Sequence, residues 1–171
     1  MAKKAKPVSL AGQQLVRDDA GEDIRAVVLR QPHRRGNLDQ KCATAWGRFV
    51  LRNQFGQPMY DAGEHYRAVV QRWRIIKGIP CKRDPGVSDG VGEVTDAKVK
   101  ELTLAKTGME VVMAEVSQAG LMIMRDMTLD DHEYAQTMDK YVIPVVIVLA
   151  RHLGYISPTM DHSLPEVVLA V

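Results

Sequence analysis

The 171-residue sequence predicts a mainly α protein: a helical hairpin plus two or three further helices in one compact bundle, with a flexible basic N-terminal arm. Three observations lead there. Apolar residues recur at spacings of three and four through residues 38–53, 58–77 and 95–127, the period of helices that each bury a face. Strand-like runs are confined to IRAVVL at Ile24–Leu29 and VVIVL at Val145–Leu149. The clearest Gly/Pro-rich stretch, Gly78–Val94, stands between two periodic segments and reads as a loop. The length suits one domain with a real core that needs neither metal nor disulfide.

Residues 1–37 carry no sustained period and are read as the arm. Lys3, Lys4 and Lys6 make its tail basic, and QPHRRG at Gln31–Gly36 reads as a basic loop containing Arg34 and Arg35. Ile24–Leu29 fits a short strand or one helical turn. Residues 38–171 form the helical domain. Its first helix is expected from Leu38 to Asn53, capped by Asn37 or Asp39, with Cys42, Ala45, Trp46, Phe49 and Val50 on the buried face. Arg48 and Arg52 share another face. After the turn FGQP, Pro58 suits the first turn of a second helix, where its missing N–H costs nothing. That helix runs to Lys77 with Met59, Ala62, Tyr66, Val69, Val70, Trp73 and Ile76 on one arc. The short turn makes the pair an antiparallel hairpin over 38–77.

The loop 78–94 lacks the Lys-Ser/Thr ending and the preceding strand of a phosphate cradle. The acidic helical part, 95–155, begins with a helix capped by Thr95 and continuous to Met127. Its stripe is Leu102, Ala105, Met109, Val112, Met113, Val116, Gly120, Ile123 and Met127. Val111, Met122 and Met124 fall outside the stripe, so this helix is either the centre of the domain or part of a subunit interface. Thr128 opens TLDD, a capping-box pattern that predicts a helix to about Met138. Pro144 predicts a break around Asp139–Ile143. A last helix then reaches Leu153 with Gly154 as its stop, and residues 156–171 are a tail. A strand is the rival reading of Val145–Leu149.

The net charge of +2 conceals an asymmetry. Residues 1–83 hold 17 Lys/Arg against 7 Asp/Glu, and residues 84–171 hold 6 against 14. Two surfaces with different partners would produce that split, and so would two halves that attract each other. Cys42 and Cys81 lie far apart and outside any C-x-x-C, which reads as reduced thiols in a cytoplasmic protein. No apolar run approaches about 18 residues, so no membrane helix is expected.

Signs of catalysis are missing. No histidine pair has zinc-ligand spacing, no H-E-x-x-H or G-x-S-x-G occurs, and no cofactor or metal site is predicted. Asp126, Asp130, Asp131, His132 and Glu133 cluster between two helices, and acids at a helix start offset its dipole without any metal. The chain is read as non-enzymatic. Arg34, Arg35, Arg48, Arg52, Arg67, Arg74 and Lys77 are instead candidate phosphate contacts. Gathered on one surface, they would hold nucleic acid with a steep salt dependence. Long basic side chains also edge packed helices with their heads in water. Ala150, Gly154 and Met160 have the spacing of a helix-turn-helix. However, its reading helix, Ser157–Leu164, contains Asp161 and no Lys or Arg.

AGEHYRAVVQRW at Ala62–Trp73 and LARHLGY at Leu149–Tyr155 resemble the ends of an uncharacterised helical domain family of alphaproteobacteria and their phages. The matching positions are Ala62, Gly63, Glu64 and Arg67, then Leu149, Ala150, His152, Leu153 and Gly154. The family often follows a helix-turn-helix in regulatory proteins, so the resemblance implies a DNA-associated role and supplies no catalytic residue. The favoured expectation is a small DNA-associated regulator, possible in a phage setting, whose basic half holds phosphate. Its acidic half would bind a protein partner or form a homo-oligomer. The rival is a protein–protein interaction or structural protein with no nucleic-acid contact.

Overall fold

The computed structural model describes Gln31, residues 38–80 and residues 94–157. Arg34, Arg35, the Ile24–Leu29 run, Cys81 and the second half of the helix-turn-helix pattern lie outside the described residues. The chain divides into two units, one ending at Ala43 and one beginning at Thr44. In the first, Gln40–Ala43 is a single 3-10 turn; the Asp39 carboxylate accepts from the Lys41 N–H (2.9 Å). The expected helix from Leu38 is therefore shorter. Thr44 is extended (φ −118°, ψ 153°) and its hydroxyl accepts from the Gly47 N–H at 3.0 Å, so Thr44 rather than Asn37 or Asp39 caps the first α-helix.

The second unit is mainly helical, and no strand occurs among the described residues. Its α-helices are α1 (Ala45–Arg52), α2 (Gln57–Ile76), α3 (Asp96–Val116), α4 (Gln118–Leu129) and α5 (Asp139–His152). The hairpin of α1 and α2 is as the sequence predicts, with Pro58 in the first turn of α2. Three helices end in the same way. In α1, α2 and α5 the two residues beyond the cap donate backbone N–H groups to carbonyls of the last turn, as in Gly154 to Arg151 (3.0 Å) and Tyr155 to Ala150 (2.9 Å). This closure needs a residue in the left-handed region. Gly78 (φ 66°) and Gly154 (φ 75°) supply it for α2 and α5, but α1 uses Gln54 (φ 54°). A side chain there carries a steric cost that glycine avoids, so Gln54→Gly should raise the free energy of unfolding by about 0.5–1 kcal/mol, read from urea denaturation.

The continuous helix expected over 95–127 is broken at Ser117. That residue is extended (φ −162°, ψ 109°), ends α3 and caps α4 through its hydroxyl on the Gly120 N–H at 3.0 Å. The break resets the helical phase. Met109 and Met113 stay buried on α3, whereas Ala105 and Val116 of the predicted stripe are exposed. On α4, Leu121, Met124 and Met127 turn inward, so Met124 joins the core. The helix predicted from Thr128 to Met138 does not form. Thr128 lies in the last turn of α4, its hydroxyl returned to the Met124 carbonyl at 2.9 Å. A loop and a 3-10 turn, Gln136–Met138, follow. Pro144 does not break α5, which starts five residues earlier and runs through it. The VVIVL run is thus helical.

The centre of the bundle is α5, which packs on α2, α3 and α4 and buries Val142, Ile143, Val145, Val146, Leu149 and Ala150. Contact with three helices explains why its sequence from Val142 to Ala150 is apolar throughout. The Trp46 and Phe49 rings stack at 5.4 Å near the α1–α2 junction, and the Trp46 indole donates to the Tyr60 carbonyl at 3.2 Å. Among the described residues no helix is long and apolar enough to cross a membrane.

Candidate interaction surface

Local sequence sets these arginines on the outer edges of their helices; the tertiary fold supplies a carboxylate to Arg48, Arg52 and Arg74, and the helix itself supplies one to Arg67. Arg52 on α1 forms a two-armed pair with Asp139, Nε to Oδ2 at 3.0 Å and Nη2 to Oδ1 at 2.6 Å. The Asn53 amide donates to the same carboxylate at 2.9 Å. Arg48, one turn earlier, faces Glu133 at 3.5 Å. Arg74, near the end of α2, lies 3.9 Å from Asp130. Arg67 meets Glu64 on its own helix at 3.3 Å. The side chains of these four arginines are only 12–27% exposed. Lys77 is exposed at the C-cap of α2.

Arg48, Arg52 and Arg74 thus converge on one stretch, the α4–α5 connection and the start of α5. The acidic cluster is spent there as structure. Asp131 (φ 55°) accepts the Ala45 N–H at 2.5 Å, so it caps α1 from 86 residues away. Asp126 accepts the Tyr134 phenol at 2.6 Å, and that hydrogen bond raises the phenol's pKa. No group of three or more metal-ligating side chains occurs among the described residues. A second network ties α2 to α3. Tyr66, fully buried, donates to Glu110 at 3.1 Å, and Lys106 pairs with the other oxygen of that carboxylate. Burial, reinforced by the Glu110 charge, pushes the Tyr66 phenol pKa well up. Lys106 also stands 4.8 Å above the Trp73 ring, whose N–H donates to Thr103 at 3.1 Å.

The two segments that carry the family resemblance meet in space. His65 Nδ1 lies 3.2 Å from the Tyr155 hydroxyl. Four of the nine matching residues are packing residues: Ala62, Leu149 and Ala150 are fully buried, and a Cβ on Gly63 would stand 2.1 Å from the Trp46 ring. Around the His65–Tyr155 contact is an open cleft of about 400 Å³ lined by Asp61, Glu64, His65, Val69 and Arg72 among others.

Apolar side chains that the core does not use lie on the other side of α3. Leu104 is 64% exposed and Val111 is 49% exposed. They are seven residues apart, two turns, on one line along the helix. Val116, Met122 and Tyr141 are also exposed. Val111 and Met122 were legible as residues outside the buried stripe. Leu104 was missed, although its position nearly opposite Met113 around the helix was the signal. Comparison of the chain with family models, with curated proteins and with solved structures returned no match.

Proposed function

We propose that this protein is a non-enzymatic interaction module that binds protein through the outward face of α3, and that its folded bundle does not hold nucleic acid. The observation that carries this reading is a contrast. The four bundle arginines proposed as phosphate contacts each face a carboxylate with little of the side chain in water, while Leu104 and Val111 are left in water with no role in the core. An arginine already bonded to a carboxylate gains less from phosphate, because the existing pair must be broken or shared. An exposed line of large apolar side chains is a mark of an interaction site. DNA contact by the bundle is the competing reading.

Fluorescence anisotropy with an unrelated DNA duplex separates the two, using the full chain at several salt concentrations. The Arg67→Ala/Arg74→Ala double variant is expected to match wild type in affinity and salt dependence. The reading is overturned if that variant stays helical by circular dichroism yet loses affinity with a salt slope smaller by about two.

A further inference from the structure

We propose that the partner of this face is a second copy of the chain, with α3 packed antiparallel on α3 across a two-fold axis; this deepens the interaction reading and rests on it. The outward line of α3 is Lys100, Leu104, Thr107, Gly108, Val111 and Glu115, with successive spacings of four, three, one, three and four residues. At a helical rotation of 100° per residue the six lie within an arc of about 100°. Lys100, Thr107 and Glu115 are exposed like Leu104 and Val111, and Gly108 is half-buried.

The line is symmetric in spacing and, with sign reversed, in charge. A two-fold axis between Thr107 and Gly108 sets Leu104 against the partner's Val111 and Lys100 against the partner's Glu115. The symmetry then repeats both pairs on the other side of the axis, as a self-complementary contact between identical subunits must. Among the described residues neither Lys100 nor Glu115 is in an ion pair within the chain, so both charges remain for the partner. A parallel pairing would instead oppose lysine to lysine and glutamate to glutamate, which is repulsive. The smallest side chains fall at the crossing, where two helix backbones come nearest. Gly108 has room on its own subunit, since a Cβ there would lie 3.9 Å from the nearest atom, His152 Nε2. Its lack of a side chain is therefore not required by the fold of one chain. A partner of other chemistry would not call for a face that is its own complement.

Sedimentation velocity of the full chain tests this over about 5–500 µM, because a single helix crossing is a small interface and gives weak association. A monomer–dimer equilibrium is expected within that range. Leu104→Lys, at an exposed site, should weaken it by about 30-fold or more. Lys100→Glu and Glu115→Lys should each weaken it by about 10-fold, and the two combined should return it to within about 3-fold of wild type. Circular dichroism checks that each variant keeps its helix content. A wild type that stays monomeric overturns the proposal. So does a dimer indifferent to Leu104→Lys, or a double exchange no better than either single one. A monomeric wild type leaves the interaction reading to the DNA titration. A reduced salt slope in that titration overturns the interaction reading whatever the oligomeric state.

Discussion

Gly120→Ala should destabilise the protein by about 3 kcal/mol or more, the upper end of the cost of overpacking. A Cβ on Gly120 would stand 2.0 Å from the Tyr141 carbonyl oxygen and 2.7 Å from Val145 Cγ2. The first of these is backbone within α5, so a rotamer change cannot relieve the clash. The first turn of α4 would have to move away from α5, and both helices are anchored by buried side chains on either side of the contact. Gly120 also donates its N–H to the capping Ser117, so a shift would disturb the junction between α3 and α4. Urea unfolding followed by circular dichroism gives the number. A loss under about 1 kcal/mol, typical of surface sites, would show that α4 and α5 are less closely seated than this approach requires.

Asp139→Ala is expected to cost about 3 kcal/mol, in the range found when one partner of a buried ion pair is removed. Asp139 is only 6% exposed. Its carboxylate accepts two hydrogen bonds from Arg52 and one from Asn53. It also begins α5, where a negative charge offsets the helix dipole. Alanine would leave the Arg52 guanidinium, lodged 5.9 Å from the Phe49 ring, without its counter-charge. Asp139→Asn keeps one acceptor oxygen and should lose less. The pair is shielded by the protein, so the loss should change little with salt. Equal stability of wild type and Asp139→Ala would remove the electrostatic account of how α1 is held to α5.

These two sites show where reading the chain as a line of residues succeeds and where it stops. The hairpin, the buried faces of α1 and α2, the Pro58 start and the Gly154 stop were all legible, because each depends on neighbours within a turn or two. The break at Ser117 left a local trace, a capping residue inside an apolar run, but periodicity on both sides masked it. Asp131 was read with its own neighbours as the start of a following helix, and it caps one far away in sequence. Its chemistry was visible, but its target was not. The arginines follow the same rule. Their presence on helix edges was plain from spacing, and the distant carboxylate partners of Arg48, Arg52 and Arg74 were not. The opposed charge of the two halves offered two meanings, and the ion pairs of Arg48, Arg52 and Arg74 match the one in which the halves attract each other.

That this is a helical protein, where most of its helices lie and which faces α1 and α2 bury could be read from the residues alone, because helical periodicity is written within a few residues. Which acids meet Arg48, Arg52 and Arg74, that Gly120 lies against α5, and that Leu104 and Val111 are left facing water came from the packing of distant segments. Those outcomes depend on contacts between residues as much as 87 positions apart, as in Arg52 with Asp139. Packing geometry selects them, and no local pattern encodes that geometry.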